Sequence, residues 1–407
     1  MKIQPNQISI KEYDYLLPHE RIAEFPLERR DQSKLLVYQE GRITDDRFYS
    51  IGQYLPESAL IIVNDTRVIE ARILFQKPTG GVIEIFCLEP FEQPVEQALH
   101  NKGKVLWRCL IGGASKWKPG QILEKKVVIN GQPEVVHARY IDKGKDNFII
   151  ELTWQPDSVP FIDILHAAGA IPLPPYIKRD ATAEDAVRYQ TMFGRFEGSV
   201  AAPTAALHFT SEVLDDLAKK HITVEHITLH VGAGTFKPVK AETIAGHEMH
   251  REPFTINKET LIKLIEASNV ITVGTTSLRT IESLYWLGIK ELNGLNHHSY
   301  ELGQWEAYEL ATSYPGIDYR ESIYALIQAM ERQHADVLHC QTSLIIVPGY
   351  EFKIPVALIT NFHQPQSTLL LLVSAFIGED WKKVYQHALD HGYRFLSYGD
   401  SSLLRRK

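Results

Sequence analysis

Two histidines set among small residues are the groups in this sequence best suited to move protons beside a bound ligand. Ala201-Ala202-Pro203-Thr204-Ala205-Ala206-Leu207-His208-Phe209 and Thr228-Leu229-His230-Val231-Gly232-Ala233-Gly234-Thr235-Phe236 each place one imidazole next to residues too short to keep a ligand away from the backbone. An unperturbed imidazole titrates near pH ~6.5, which suits giving and taking protons at neutral pH. The competing account of each stretch is a strand-to-helix turn with a satisfied core histidine.

Further polar strings follow apolar runs in the same manner. Val270-Ile271-Thr272-Val273 leads into Gly274-Thr275-Thr276-Ser277-Leu278-Arg279, where free N–H groups, hydroxyls and a helix dipole favour an anion such as a carboxylate, or where Thr276 or Ser277 is a plain helix cap. Leu358-Ile359-Thr360 leads into Asn361, His363 and Ser367; Leu60-Ile61-Ile62-Val63 leads into Asn64-Asp65-Thr66-Arg67; Ser397-Tyr398-Gly399-Asp400 adds a late aromatic and acid. Gly232-Ala233-Gly234 lacks the third glycine of a dinucleotide fingerprint, and Gly80-Gly81 has no P-loop Lys-Ser/Thr after it. His247 and His250 are three residues apart, where a zincin helix needs four, so they read as hydrogen-bonding or proton-transfer groups with Glu252 and no metal is expected.

The elements that must hold these strings follow from the apolar patterning. Segments 82–86, 105–111, 127–130 and 148–152 are strand-like and separated by Gly and Asn-Gly turn signals, which predicts a small antiparallel barrel between about 73 and 155. Elsewhere strands (59–63, 224–231, 270–273) alternate with helices (212–220, 259–266, 277–285), which predicts an α/β core with a site in the loops at strand C-termini. The core is thus expected in two parts, 1–72 and 156–407, with a long, less regular insertion at about 288–347 that carries a helix over 319–333. The run Leu369 to Phe376 is too short to span a bilayer and reads as a buried element.

Composition narrows the classes. The 407 residues are 44% hydrophobic and 23% charged, as in a folded protein, and 43 Lys+Arg against 50 Asp+Glu give a net charge of −7, which argues against a protein that coats nucleic acid through its bulk field. A local basic face is allowed by Lys116, Lys118, Lys125, Lys126, Lys143 and Lys145. Cys87, Cys109 and Cys340 lie far apart, so no zinc ribbon, local redox pair or disulfide is expected. The N-terminus has neither an apolar run nor a transit-peptide pattern, and a cytoplasmic protein without a membrane anchor is expected.

In combination and order, these strings resemble the S-adenosylmethionine:tRNA ribosyltransferase-isomerase family of queuosine synthesis. The resemblance begins at Asp14-Tyr15 and takes in Asn64 to Ile69, Gly80 to Glu84, Pro172-Leu173-Pro174-Pro175-Tyr176-Ile177 and both opening stretches. It continues through His247 to Glu252, Gly274 to Arg279, Pro348-Gly349-Tyr350, Thr360 to Leu369 and Tyr393 to Asp400. It implies a discontinuous α/β barrel-like core with an inserted six-stranded β-barrel. It also implies transfer of the ribosyl part of S-adenosylmethionine to 7-aminomethyl-7-deazaguanine at the tRNA wobble position, rearrangement to an epoxycyclopentanediol, and release of adenine and methionine. S-adenosylmethionine would be a consumed substrate and no cofactor would be needed.

Under that resemblance His208, His230, His247, His250 and His363 are the available proton carriers. Asn64, Asp65, Thr66, Arg67, Thr204, Gly234, Thr235, Glu252, Thr275, Thr276, Arg279, Asn361, Ser367, Tyr398 and Asp400 are the substrate-binding candidates. Ala206, Glu70, Gln364 and Val356 stand where the family's strings usually carry glycine, proline, leucine and aspartate. Those departures and the acidic net charge keep open a paralogue using the same donor on another base or a small amine, and the barrel lysines keep open a noncatalytic nucleic-acid-binding module.

Overall fold

The structure is a computed structural model, and it describes residues 8–118, 120–145, 147–232, 239, 241–296 and 299–406. Its larger sheet has ten strands in the order Tyr300–Leu302, Val337–Thr342, Glu252–Asn257, Thr223–Leu229, Leu60–Asn64, Val270–Val273, Ala357–Asn361, Ser401–Arg405, Lys34–Gln39 and Arg42–Arg47. The four strands from Thr223–Leu229 to Ala357–Asn361 are mutually parallel, so their C-termini share one edge. The three strands 60–64, 270–273 and 357–361 are buried along their whole length, as strands covered on both faces must be.

Alternation along Leu60–Asn64 assigns the two coverings. Leu60 and Ile62 join a cluster with Leu278 and Ile281 of the helix Thr275–Leu292, whereas Ile61 and Val63 join one with Val213 and Leu217 of the helix Ser211–Lys219. The second helix begins where the Thr210 hydroxyl accepts the Val213 N–H, and it buries Val213 and Leu217 one turn apart.

The smaller sheet is antiparallel, in the order Gly169–Ala170, Arg72–Gln76, Val82–Pro90, Lys104–Gly112, Phe148–Trp154, Gln132–Lys143 and Ile122–Ile129. It curls until Lys125 Nζ of the last strand donates to the Leu74 carbonyl of Arg72–Gln76 at 3.0 Å, but no ladder among the described residues closes it. The result is a half-barrel. The helix Phe161–Ala168 packs into its interior, with the Phe161 ring 5.1 Å from Trp107 and 5.6 Å from Trp154.

Mixed α/β architecture and the antiparallel unit are present, but the core differs from the expected barrel-like form. Its edge strands Tyr300–Leu302 and Arg42–Arg47 lie at opposite ends of the strand order, and no pairing among the described residues closes the sheet. The segment 288–347 is also more regular than expected. The helix Thr275–Leu292 runs into it, the helices Glu306–Ser313 and Tyr319–Arg332 follow, and Val337–Thr342 alternates exposed and buried residues as a half-buried strand does. The hairpin Lys34–Gln39/Arg42–Arg47 turns without any of the strong turn pairs that mark such a connection in sequence.

Two groupings by sequence also change in space. Cys87 and Cys109, 22 residues apart, are directly opposed on neighbouring strands with their sulfurs 3.9 Å apart, and both are free and buried. Lys125 and Lys126 point to opposite faces, Lys125 half-buried and Lys126 exposed, so the barrel lysines do not form a single basic face. Among the described residues no helix is long and apolar enough to cross a membrane.

Candidate active site

The shared edge of the four parallel strands gathers most of the candidate residues. Asn64 ends one strand, His230 follows another, Gly274 a third, and Asn361 ends the fourth; the antiparallel Ser401–Arg405 begins at the same edge, which brings Asp400 there. Open α/β sheets place ligands at such an edge, where side chains converge from loops fixed by rigid strands.

One pocket of about 100 Å³ there is lined by Thr204, Thr275, Thr276, Asn361, His363 and Ser367, with Tyr176 on its wall. Gly274 takes φ 89°, a conformation costly for any residue with a Cβ, and so lets the strand turn sharply into the helix that Thr275 begins. The Asn361 amide ties the pocket together. Its Oδ1 accepts the Thr204 hydroxyl at 2.8 Å, and its Nδ2 lies 3.2 Å from His208 Nε2 and 3.3 Å from the Asp400 carbonyl. His363 Nε2 lies 3.0 Å from Thr360 Oγ1, and burial lowers the His363 pKa to about 3. His208 is behind Asn361, against Phe48, and burial lowers its pKa to about 4, so both imidazoles are neutral at pH 7.

A cleft of about 1440 Å³ adjoins this pocket, the two sharing Val231 and Leu369 as lining residues. His230, His247, His250 and Glu252 face it. His230 Nδ1 lies 2.9 Å from Thr66 Oγ1 and His230 Nε2 lies 3.3 Å from Glu96 Oε1, which fixes the ring between the core sheet and the short helix Val95–Leu99. Gly198 makes room for this ring, because a Cβ there would meet His230 Cε1 and Nδ1 at 2.9 Å. The pKa of His247 is lowered, chiefly by burial and secondly by His250.

Other candidates are engaged in holding the scaffold. Asn64 donates to the Leu229 carbonyl at 2.8 Å and accepts the Leu229 and Thr66 N–H groups at 3.1 Å, clasping two strand ends. Asp65 accepts the Thr228 hydroxyl at 2.7 Å, and burial raises its pKa. Arg67 is exposed beside Glu197. Arg279 is buried and donates to buried Glu252, so its charge is already matched within the protein. Tyr398 donates to Asp185 at 2.7 Å, and Asp400 accepts the N–H groups of Lys34 and Arg394 at 2.9 and 2.8 Å. Ser367 caps the helix Thr368–Ile377 by accepting the Leu370 N–H. Gly234 and Thr235 lie outside the described residues.

Sequence reasoning misses Glu96, which follows Pro94 in a connection of the half-barrel and carries no motif. Tyr176 belongs to the Pro172 to Ile177 string, yet only its contact with Ser397 Oγ at 2.6 Å and its place on the pocket wall single it out.

A half-barrel joined to an α/β sheet, with His230, His247 and His250 lining a cleft beside the strand ends, is the scaffold of an enzyme with a roomy site. The family whose model matches residues 10–404 is described as "Queuosine biosynthesis protein", and the chain belongs to it. It is 37% identical over 406 residues to the S-adenosylmethionine:tRNA ribosyltransferase-isomerase of Thermotoga petrophila, covering 98% of this chain and 100% of that one. It is 35% identical over 403 residues to the protein of the same name from Trichlorobacter lovleyi, covering 97% and 99%. A crystal structure of S-adenosylmethionine tRNA ribosyltransferase from Thermotoga maritima aligns with 28% identity and a TM-score of 0.46 over 97% of this chain and 99% of that one.

Proposed function

We propose that this chain is an S-adenosylmethionine:tRNA ribosyltransferase-isomerase of queuosine biosynthesis, acting on 7-aminomethyl-7-deazaguanine at the wobble position of tRNA. The observation that carries the reading is membership of the queuosine biosynthesis family over residues 10–404, in a chain of the same extent as its relatives. The pocket of about 100 Å³ is too small for the whole donor. The donor therefore extends past Val231 and Leu369 into the cleft, with one anionic or hydroxylic end at Thr275, Thr276 and Asn361 near the helix start. The acceptor nucleoside enters the cleft from the other side.

The reaction asks for removal of a proton beside the sulfonium, an acid for departing adenine, and exclusion of water from reactive intermediates. His230 is the leading proton carrier, since it faces the cleft, is oriented by Glu96 at Nε2, and meets at Nδ1 the Thr66 hydroxyl, which would relay the proton between ring and ligand. His363, neutral and close to the helix start, is suited to hydrogen bonding with donor hydroxyls, and His247 and His250 to the acceptor side of the cleft. His208 acts through Asn361 as a positioning residue. The division into core segments 1–72 and 156–407 and an inserted unit 73–155 belongs to the same reading; a separate apolar cluster within the half-barrel supports it.

The deciding experiment incubates the protein with S-adenosylmethionine and tRNA bearing the aminomethyl-deazaguanine while adenine and methionine are measured. Release in proportion to modified tRNA is expected. Release with the free base alone would replace the acceptor, and tRNA binding without turnover would overturn the enzymatic reading.

A further inference from the structure

The helix Asp380–Asp390 ends in the sequence His387-Ala388-Leu389-Asp390-His391, with the four-residue histidine spacing that His247 and His250 lack. Residues four apart share one helical face. That face lies against the edge strand Arg42–Arg47, where Asp45 projects toward it. One ligand atom from each of Asp45, His387 and His391 lies within 4.8 Å of the others, a grouping that is alone of its kind among the described residues. We propose that Asp45, His387 and His391 form a surface site for a borderline divalent cation of the zinc class, which clips the helix to the edge of the larger sheet.

The geometry around the three residues supports a ligand set. His387 Nε2 lies 2.9 and 3.0 Å from the two Asp45 oxygens, close to the ~3.3 Å that separates ligands about 2.0–2.1 Å from a tetrahedral ion. The two rings stack with centroids 3.8 Å apart, so His391 is already beside His387. His391 Nδ1 donates to the His387 carbonyl at 2.9 Å, which places the proton on Nδ1 and leaves the Nε2 lone pair for a metal. The Tyr393 hydroxyl donates to Asp45 Oδ1 and orients the carboxylate, as outer partners do for metal ligands. Binding displaces the proton that His387 shares with Asp45, and water completes the coordination.

This site is separate from the proposed chemistry. Strand Arg42–Arg47 is one edge of the ten-stranded sheet, whereas Glu252–Asn257 and Val337–Thr342, which line the cleft, lie near the other. The ion would brace the fold and take no part in turnover.

The test titrates the metal-free full-length protein with zinc chloride by calorimetry and with cobalt chloride by visible absorption. One equivalent of each ion is expected, with d–d bands of imidazole-bound cobalt, and zinc should raise the melting temperature. His391→Gln and His387→Gln should abolish the bands and the thermal shift, and Tyr393→Phe should weaken binding roughly 10- to 100-fold. No binding, or unchanged stoichiometry and affinity in the His387→Gln/His391→Gln double variant, would overturn the proposal and, in the second case, direct attention to His247 and His250. All three residues are at the surface or partly so, so loss of fold does not confound the variants.

Discussion

His230 and Glu96 meet across the cleft at 3.3 Å, joining the end of a core strand to a helix carried by the half-barrel. The hydrogen bond from His230 is the main cause holding the Glu96 pKa below the usual carboxylate range. An imidazole with a carboxylate on one nitrogen and the Thr66 hydroxyl on the other has a fixed orientation.

His230→Ala is expected to lower single-turnover adenine release by about 100- to 10,000-fold with little change in melting temperature. Glu96→Gln should reduce it less, because the ring retains Thr66. A His230→Ala protein that is unstable but turns over normally when folded would make the histidine structural.

Thr276→Val removes one hydroxyl from the pocket at the helix start and should weaken S-adenosylmethionine binding about tenfold, measured by calorimetry, which corresponds to ~1.4 kcal/mol. Unchanged affinity there and in Asn361→Ala would move the donor out of this pocket.

Arg279→Ala is expected to unfold the protein more readily rather than to weaken the donor alone. Its guanidinium and Glu252 are both buried, and removing one partner strands the other charge at a cost of ~3–5 kcal/mol. Urea denaturation checks this, and replacing both residues by apolar ones should recover part of the loss.

Stability should fall on mild acidification. Burial holds the folded pKa of His208 at about 4 and of His363 at about 3, below the unfolded value near ~6.5. Above that value both states are neutral and the two groups contribute nothing to the pH dependence. As pH drops below it the unfolded chain binds protons that the folded chain refuses, so stability declines until the folded pKa values are reached, by up to ~1.4 kcal/mol per pH unit per histidine. Urea midpoints between pH 7.5 and 5 measure the slope, and His363→Gln should make it shallower.

For tRNA, replacing Lys116, Lys118 and Lys126 with alanine should weaken binding and flatten its salt dependence, by about 0.9 in slope for each duplex phosphate left without its lysine. Adding Lys125→Ala should change the slope no further, since its Nζ is bonded to the Leu74 carbonyl. An unaltered slope in the triple variant places tRNA on another face.

Local sequence determined which segments are strands and helices wherever one periodicity dominates. Val270–Val273 and the helix after it, Ser211–Lys219, and the Asn130-Gly131 hairpin of the small sheet are set by apolar runs, caps and turn residues that act over a few positions. The strings at the strand ends were legible too, because polar residues after a buried strand have few other places to go. Sequence could not decide which of those polar groups face a ligand. Asn64, Asp65, Asp400 and Tyr398 look like Asn361 and Thr276 in a string of letters, and only the packing of strands far apart in the chain puts the first four into hydrogen bonds away from the small pocket while Asn361, itself bonded within the protein, lines it with Thr276. The pairs Arg279–Glu252, His230–Glu96 and Cys87–Cys109, and the open edge where a barrel was expected, likewise depend on sheet order and register, which long-range contacts set and no local pattern encodes.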